Sequence, residues 1–250
     1  MGKFYAGLWF CLMGFGIGFS QQTDSIFLNV KLDTIRHELH VEQEFTLVNQ
    51  SPKTLNEVYF HSWANAYSGK LTVLNKVKLQ DRKGALHFSG REERGSLGDL
   101  IIRNTENDTL FYKTEEREFV KIDLPKVWRR GEIIRLKASY VVKIPFDAVT
   151  RYGKSPNGNY LLKYFFLQPA TVSENGHWVF QHYKDFEEVA AYPSFYQLKI
   201  SYPENYQMTS DLESDGEFWT AQNLEHFRIY LTKNELEKHS FLLKESGINV

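Results

Sequence analysis

Hydrophobic and polar residues alternate along several stretches of the chain, as they do in half-buried β-strands. These stretches cover residues 28–32, 39–47, 134–144, 196–202 and 226–232. The alternation of the second stretch begins at Ile35, after a short break that follows the first stretch. Period-two alternation turns one face of a strand to a core and the other to water. Because no long amphipathic helix is apparent, the pattern predicts an all-β, antiparallel fold of sandwich or saddle shape.

Turn signals separate the predicted strands. Asn157-Gly158, Asn175-Gly176 and Asp215-Gly216 are dipeptides that favour the positive φ angles of tight turns. Residues 81–116 are polar and rich in charge, and we expect long loops between short strands there.

The first twenty residues have the pattern of a secretory signal peptide. Lys3 precedes an apolar and glycine-containing run over residues 4–19, and polar residues follow. Small side chains end the run, which places cleavage between Ser20 and Gln21; the alternative is an uncleaved membrane anchor. The run is shorter than the ~20 residues that span a bilayer. We therefore expect a signal peptide at 1–20, one domain at 21–250, a secreted or periplasmic location and no membrane association after cleavage.

Composition narrows the class of protein. Hydrophobic residues make up 42% of the chain and aromatic residues 15%, which is enough for a packed core and excludes a disordered protein. Lys plus Arg number 30 and Asp plus Glu 31, so the chain lacks the basic surface that nucleic-acid binding requires. The single cysteine, Cys11, lies within the signal segment. Cysteine nucleophiles, thiolate metal sites and disulfides are thus excluded from the mature chain.

The histidines do not form a recognisable metal motif. His37-Glu38 resembles the start of a zinc-binding helix, but position 41, where the second histidine would stand, is valine. His40 follows His37 by three positions, and on a strand this odd spacing turns the two rings to opposite faces. Phosphate-binding and hydrolase motifs are also missing from the sequence. We predict no catalytic residue, no metal ligand and no cofactor in this chain.

Three segments, taken together, resemble the N-terminal β-domain of the gluzincin aminopeptidases, the aminopeptidase N and leukotriene hydrolase group. The first comprises residues 37–51 and 55–67. The second comprises Leu124-Pro125, Gly131-Glu132, Leu136, Tyr140 and Ile144-Pro145. The third comprises residues 164–170, Trp178 and residues 192–195. The resemblance extends over residues 25–245.

This resemblance implies a saddle-shaped β-sandwich that packs on a following catalytic domain. In the family that second domain binds zinc through H-E-x-x-H and a downstream glutamate, and holds the substrate's amino end with a G-x-M-E-N loop. None of these motifs occurs in the chain, which stops where the catalytic domain is expected to begin. The resemblance therefore implies a non-catalytic N-terminal domain, or a truncated product, of an exported zinc aminopeptidase. Zinc is expected only in the missing domain.

One residue is a candidate for substrate binding. Gln168 matches the glutamine of a loop that, in many relatives, helps to bind the N-terminal residue of the peptide. The acid expected two residues later is Ala170 here, and an amide supplies no charge to hold an ammonium group. The competing interpretation is that Gln168 satisfies backbone groups at the end of a strand.

A stand-alone secreted binding module, for glycans or proteins, is the alternative function. In that case exposed aromatic side chains would serve as stacking platforms. The candidates are Trp63, Tyr67, Trp128 and Trp178. Their other interpretation is burial in the core, which is common for tryptophan in a sandwich.

Overall fold

The computed structural model describes residues 23–150, 152–185, 189–234 and 236, and the backbone of two short strands near the C-terminus. The strands are β1 (Ser25–Asp33), β2 (Glu38–Val48), β3 (Leu55–His61), β4 (Ser96–Arg103), β5 (Thr109–Leu110), β6 (Tyr112–Glu115), β7 (Phe119–Trp128), β8 (Ile133–Lys143), β9 (Gly153–Lys154), β10 (Tyr160–Lys163), β11 (Gln168–Pro169), β12 (Ser194–Ser201), β13 (Gln207–Ser210), β14 (Glu213–Ser214), β15 (Trp219–Leu224), β16 (Arg228–Thr232), β17 (Leu242–Leu243) and β18 (Ile248–Asn249). The helices are α1 (Val73–Gln80) and α2 (Ala85–Phe88), with 3₁₀ turns at Trp63–Tyr67 and Arg91–Glu93. The predicted signal segment and Cys11 lie outside the described residues.

Three sheets make up the body of the fold, which confirms the predicted all-β class. An eight-stranded sheet has the order β14-β15-β12-β1-β2-β8-β4-β5. A four-stranded sheet of order β11-β3-β7-β6, here called the β3 sheet, and another of order β13-β16-β10-β9, here called the β10 sheet, complete the body. The buried side chains of all three sheets join in one apolar cluster, so this is a sandwich-type core. The saddle shape and the domain limits stay predictions.

Four of the five alternating stretches form β1, β2, β8 and β12 of the eight-stranded sheet, and the stretch at 226–232 forms β16 of the β10 sheet. β2 and β8 pair over their whole length, from Glu38 opposite Lys143 to Val48 opposite Ile133. Along β1 every second side chain, beginning with Ile26, is buried. The pairing of β1 with β12 is parallel, so the expected antiparallel fold contains one parallel pair among its described strands. Parallel neighbours need a long crossover, and most of the chain lies between these two strands.

The strand predicted to reach back to Ile35 was wrong at that end. The Asp33 carboxylate accepts hydrogen bonds from the backbone N–H groups of Ile35, at 2.8 Å, and Arg36, at 3.0 Å. This turn, which the Asp33 side chain stabilises, reverses the chain before β2. Ile35 lies within the turn and is 91% exposed.

Residues 81–116 hold more structure than predicted. They contain α2, the turn at Arg91–Glu93 and the eight-residue strand β4, which pairs with β8. Helix α1 directly precedes them and was also not predicted. None of the helices in the described residues is long and apolar enough to cross a bilayer.

Candidate functional site

Gln168 lies at the edge of the β3 sheet, where β11 pairs with the end of β3. Its backbone is opposite His61, and its side chain is 2% exposed. The Gln168 Nε2 donates a hydrogen bond of 3.2 Å to the Tyr196 hydroxyl, which donates in turn to the Glu225 carbonyl at 2.8 Å. In this structure the Gln168 amide is thus hydrogen-bonded to Tyr196. A contact between Gln168 and a substrate stays a prediction. Ala170, at the position where an acid was expected, is also buried.

His61 is the neighbour of Gln168 across the strand pair. It is 1% exposed and stacks on the Trp63 indole, with 4.7 Å between ring centroids. The Nε2 of His61 accepts a hydrogen bond of 3.2 Å from the backbone N–H of Gln181, so the neutral ring carries its hydrogen on Nδ1. That Nδ1 has no partner among the described residues. Burial lowers the pKa of His61 to about 3, so the ring is neutral at physiological pH.

A second polar cluster joins β7 to residues 181–183. Glu118 is 1% exposed, and its carboxylate accepts from the Nδ1 of His182 at 3.0 Å and from the backbone N–H of Tyr183 at 2.9 Å. The Nε2 of His182 lies 2.8 Å from the Glu116 carboxylate. Burial raises the pKa of Glu118. The Trp63 indole N–H donates a further hydrogen bond of 2.8 Å to the Gln181 carbonyl. Residues 181–183 are therefore held against the ends of β3 and β7.

Sequence reasoning missed this clustering because its members are far apart along the chain. Residues 61, 118, 168 and 182 match no motif spacing. The signals present in the sequence were three glutamates within residues 115–118 and the two histidines His177 and His182. Both groups resemble ordinary polar loops. Further along the chain, Asp185 forms an ion pair with Lys78. Its acidic neighbours Glu187 and Glu188 lie outside the described residues.

His37 and His40 do not converge, but odd spacing along one strand is not the reason, because only His40 lies on a strand. His40 is exposed on β2, whereas His37 lies in the preceding turn with φ +57°. The Nε2 of His37 accepts from the Lys154 ammonium at 2.8 Å. Lysine only donates, so Nδ1 carries the ring hydrogen and donates to the Tyr160 hydroxyl at 2.8 Å. Partial burial and the Lys154 charge lower the pKa of His37.

The ring nitrogens of these histidines are not available to a zinc ion, which the family resemblance places only in the missing catalytic domain. A zinc ligand must offer the lone pair of a ring nitrogen. That lone pair is taken by Lys154 in His37 and by the Gln181 N–H in His61, while both ring nitrogens of His182 face carboxylates. Within the described ranges no group of three or more His, Cys, Asp or Glu residues is placed to hold a metal ion.

Three of the four aromatic residues considered as glycan platforms are buried in the core, as the competing interpretation expected. Trp63, Tyr67 and Trp128 are at most 5% exposed, so they cannot serve as surface platforms. Trp178 is partly exposed and packs on Tyr59, with 5.5 Å between ring centroids.

Among the comparisons with known proteins, only the search of solved structures finds matches to this chain. No family model and no curated protein sequence matches the chain. Among solved structures, an M1 zinc metallopeptidase from Deinococcus radiodurans is 12% identical, with a TM-score of 0.43 over 84% of this chain and 41% of that chain. A mutant of the M1 zinc metallopeptidase from the same organism, bound to a Tyr-Ser-Ala substrate, is 11% identical with a TM-score of 0.43 and the same coverage. The chain thus spans about two fifths of their length. At this level of similarity the chain is not assigned to the family.

Proposed function

We propose that this chain is the non-catalytic N-terminal β-domain of an exported zinc aminopeptidase. In this proposal it packs on a catalytic domain, which supplies the zinc and most of the peptide-binding site. Gln168 is the residue of this chain that reaches the amino end of the peptide.

A buried hydrogen-bonded cluster is the observation that supports the proposal best. It joins one residue from each of the three segments that carry the family resemblance. The Tyr140 hydroxyl, on β8, donates to the Gln43 side chain of β2 at 2.5 Å and accepts from the backbone N–H of Leu167 at 3.1 Å. The Gln43 Nε2 closes the cluster by donating to the Leu167 carbonyl at 2.9 Å. Three segments far apart in sequence therefore form one structural unit that links the eight-stranded sheet to the segment before Gln168.

The natural polypeptide tests this proposal. An antibody against this chain should detect, in the producing cells, a protein much heavier than 29.3 kDa. Aminopeptidase activity on L-leucine p-nitroanilide should be captured with it and be abolished by a zinc chelator. The coding sequence downstream of codon 250 should contain H-E-x-x-H in frame. A natural protein of this chain's own mass, captured without peptidase activity, would contradict the proposal.

A further inference from the structure

Three cationic side chains converge on a pocket of about 410 Å³ at the start of β4. The residues that line it are Ser68, Arg91, Arg94, Gly95, Ser96 and Lys143. Among these described residues the lining has three positive charges, two hydroxyl groups and no carboxylate. Because like charges repel, such a lining favours a ligand that carries negative charge.

The close approach of two chain segments brings these cations together. Ser96 of β4 lies opposite Lys143 of β8, and Gly95 packs directly on the next residues of the chain. A Cβ atom on Gly95 would lie 2.8 Å from Cδ of Pro145 and 3.1 Å from the Lys143 carbonyl oxygen. Because only glycine permits this contact, Gly95 sets Arg94 beside Lys143.

The Arg94 guanidinium is held in place by neutral acceptors. Its Nε donates to the Ser89 hydroxyl at 3.1 Å, and its Nη2 donates to the Ser89 carbonyl at 2.8 Å. These bonds orient the group without neutralising its charge. Its Nη1 makes no hydrogen bond within the part of the chain that the structure describes. A guanidinium oriented in this way is prepared to donate to an oxyanion.

The carboxylates next to the pocket leave most of this positive charge unbalanced. Lys143 forms an ion pair of 2.6 Å with Glu92, whose side chain is 85% exposed. Glu93 accepts instead from the backbone N–H of Gly90 at 2.6 Å. Arg91 has no ion-pair partner among the described residues. Exposed ion pairs contribute little to stability, so a ligand with two negative charges can displace Glu92 from Lys143.

We infer that this pocket binds the phosphate group of an anionic ligand. A phosphate monoester has up to two negative charges and three free oxygens, which the three cations and the hydroxyls of Ser68 and Ser96 can meet. The volume is within the ~300–1,000 Å³ of small-molecule sites, so it also has room for an organic group attached to the phosphate.

The phosphate has two possible sources, a soluble ester and a lipid headgroup. The second is suggested by exposed apolar side chains in the segments that border the pocket. Leu71, three residues after Ser68, is 71% exposed, and Phe88, which precedes Ser89, is 82% exposed. Such side chains enter the interface of a membrane. Neither source requires that a catalytic domain follows, so this inference and the proposed function can fail separately.

Calorimetric titration with glycerol 3-phosphate tests the inference. The protein used is the chain from Gln21, which contains the whole described core. We expect binding at millimolar or lower concentration, and at least tenfold weaker binding of acetate. Arg91→Gln should weaken binding of glycerol 3-phosphate about three- to tenfold. Glu92→Gln removes the competing carboxylate and should strengthen it about two- to threefold.

Sedimentation with lipid vesicles distinguishes the two sources. Binding to phosphatidylglycerol vesicles but not to phosphatidylcholine vesicles, reduced at least threefold by Phe88→Ser, would assign the phosphate to a lipid headgroup. That result would also correct the expectation that the exported chain has no membrane association. Binding of glycerol 3-phosphate without vesicle binding would assign the phosphate to a soluble ester.

A matched control separates the pocket from general attraction between charges. Lys76→Gln removes an exposed cation of α1 outside the pocket and should bind as the unmodified chain does. Lys143→Gln should weaken binding as Arg91→Gln does. Equal weakening by Arg91→Gln and Lys76→Gln would overturn the inference. Failure to bind both glycerol 3-phosphate and phosphatidylglycerol vesicles, or acetate binding as tight as that of glycerol 3-phosphate, would also overturn it.

Discussion

At the scale of single residues, burial decides which ionised forms the fold tolerates. His61 is enclosed between Trp63 and Phe119, and the Gln181 N–H occupies the nitrogen that would otherwise take up a proton. Asp24 is the opposite case, because burial raises its pKa from 3.8 to about 6. The two groups therefore make opposite contributions to the pH dependence of stability.

We predict that His61 makes the protein less stable in acid. Its folded pKa of about 3 is below its ordinary value of 6.5, so between these values the unfolded state binds the extra proton. The His61 contribution is complete above pH 6.5 and is lost as pH falls through this window, by up to about 1.4 kcal/mol per pH unit. Urea unfolding of the wild type and His61→Gln across this range should show a shallower slope in the variant. The exposed His40→Gln should keep the wild-type slope, and equal slopes for all three proteins would refute the prediction.

A second residue-scale prediction separates the two interpretations of Gln168. Gln168→Ala and Tyr196→Phe both remove the bond between their side chains, and each should lower the unfolding free energy by about 1–3 kcal/mol in thermal or chemical denaturation. In an enzyme that contains this domain, the proposed substrate contact predicts that Gln168→Ala raises KM about tenfold while Tyr196→Phe leaves KM unchanged. Unchanged KM in both variants would assign Gln168 a structural role alone.

At the scale of elements, helix α1 shows how weak a local signal can be. Its buried positions are Leu74, Asn75 and Lys78, and two of these are polar, so they form no apolar stripe. Polar contacts stabilise it instead. Thr72 caps the first turn by accepting from the Asn75 N–H, and Lys78 pairs with Asp185 on a distant loop. Binary patterning could not have predicted such a helix.

The cluster around Tyr140 couples three strands or segments, and its loss should be felt by all of them. Tyr140→Phe keeps the ring but removes the hydroxyl that serves Gln43 and Leu167. Because the Gln43 Oε1 and the Leu167 N–H both lose their partner in a buried site, we expect the unfolding free energy to fall by about 2–4 kcal/mol in urea denaturation. Tyr112→Phe, which alters an exposed ring on β6, should change it by less than about 0.5 kcal/mol. Equal stability of the two variants would show that the cluster contributes little.

At the scale of the whole molecule, export is the prediction that depends least on the fold. The N-terminal sequence of the protein recovered outside the cytoplasm should begin at Gln21. Leu8→Asp places a charge in the apolar run, and we expect it to retain the uncleaved chain in the cells. Lys31→Asp changes an exposed charge on β1 and should leave export unaffected. Recovery of the exported protein with Met1 at its N-terminus would identify the segment as an anchor.

By itself the sequence determined the all-β class, the long strands and the turns. These properties are local, because alternation along β1, β2, β8 and β12 can be read within a few residues. The turn dipeptides are local in the same way, and Gly158 and Gly216 adopt the positive φ angles expected of them. The charge balance is likewise a property of composition alone, and the predicted export signal is a property of residue order near the N-terminus.

The tertiary structure alone decided which distant residues meet. The parallel pairing of β1 with β12, the burial of Trp63 and the bonds between Glu118 and His182 all join residues that no short-range pattern connects. Their association depends on how the sheets pack, because the apolar face of each sheet is buried only when the sheets pack against one another in a dense core. The same packing places Tyr152 and Tyr183 beside the outer face of β10, where they line a pocket. The alternation along β10 could predict which of its side chains face away from the core, but not which residues of other segments would lie beside them.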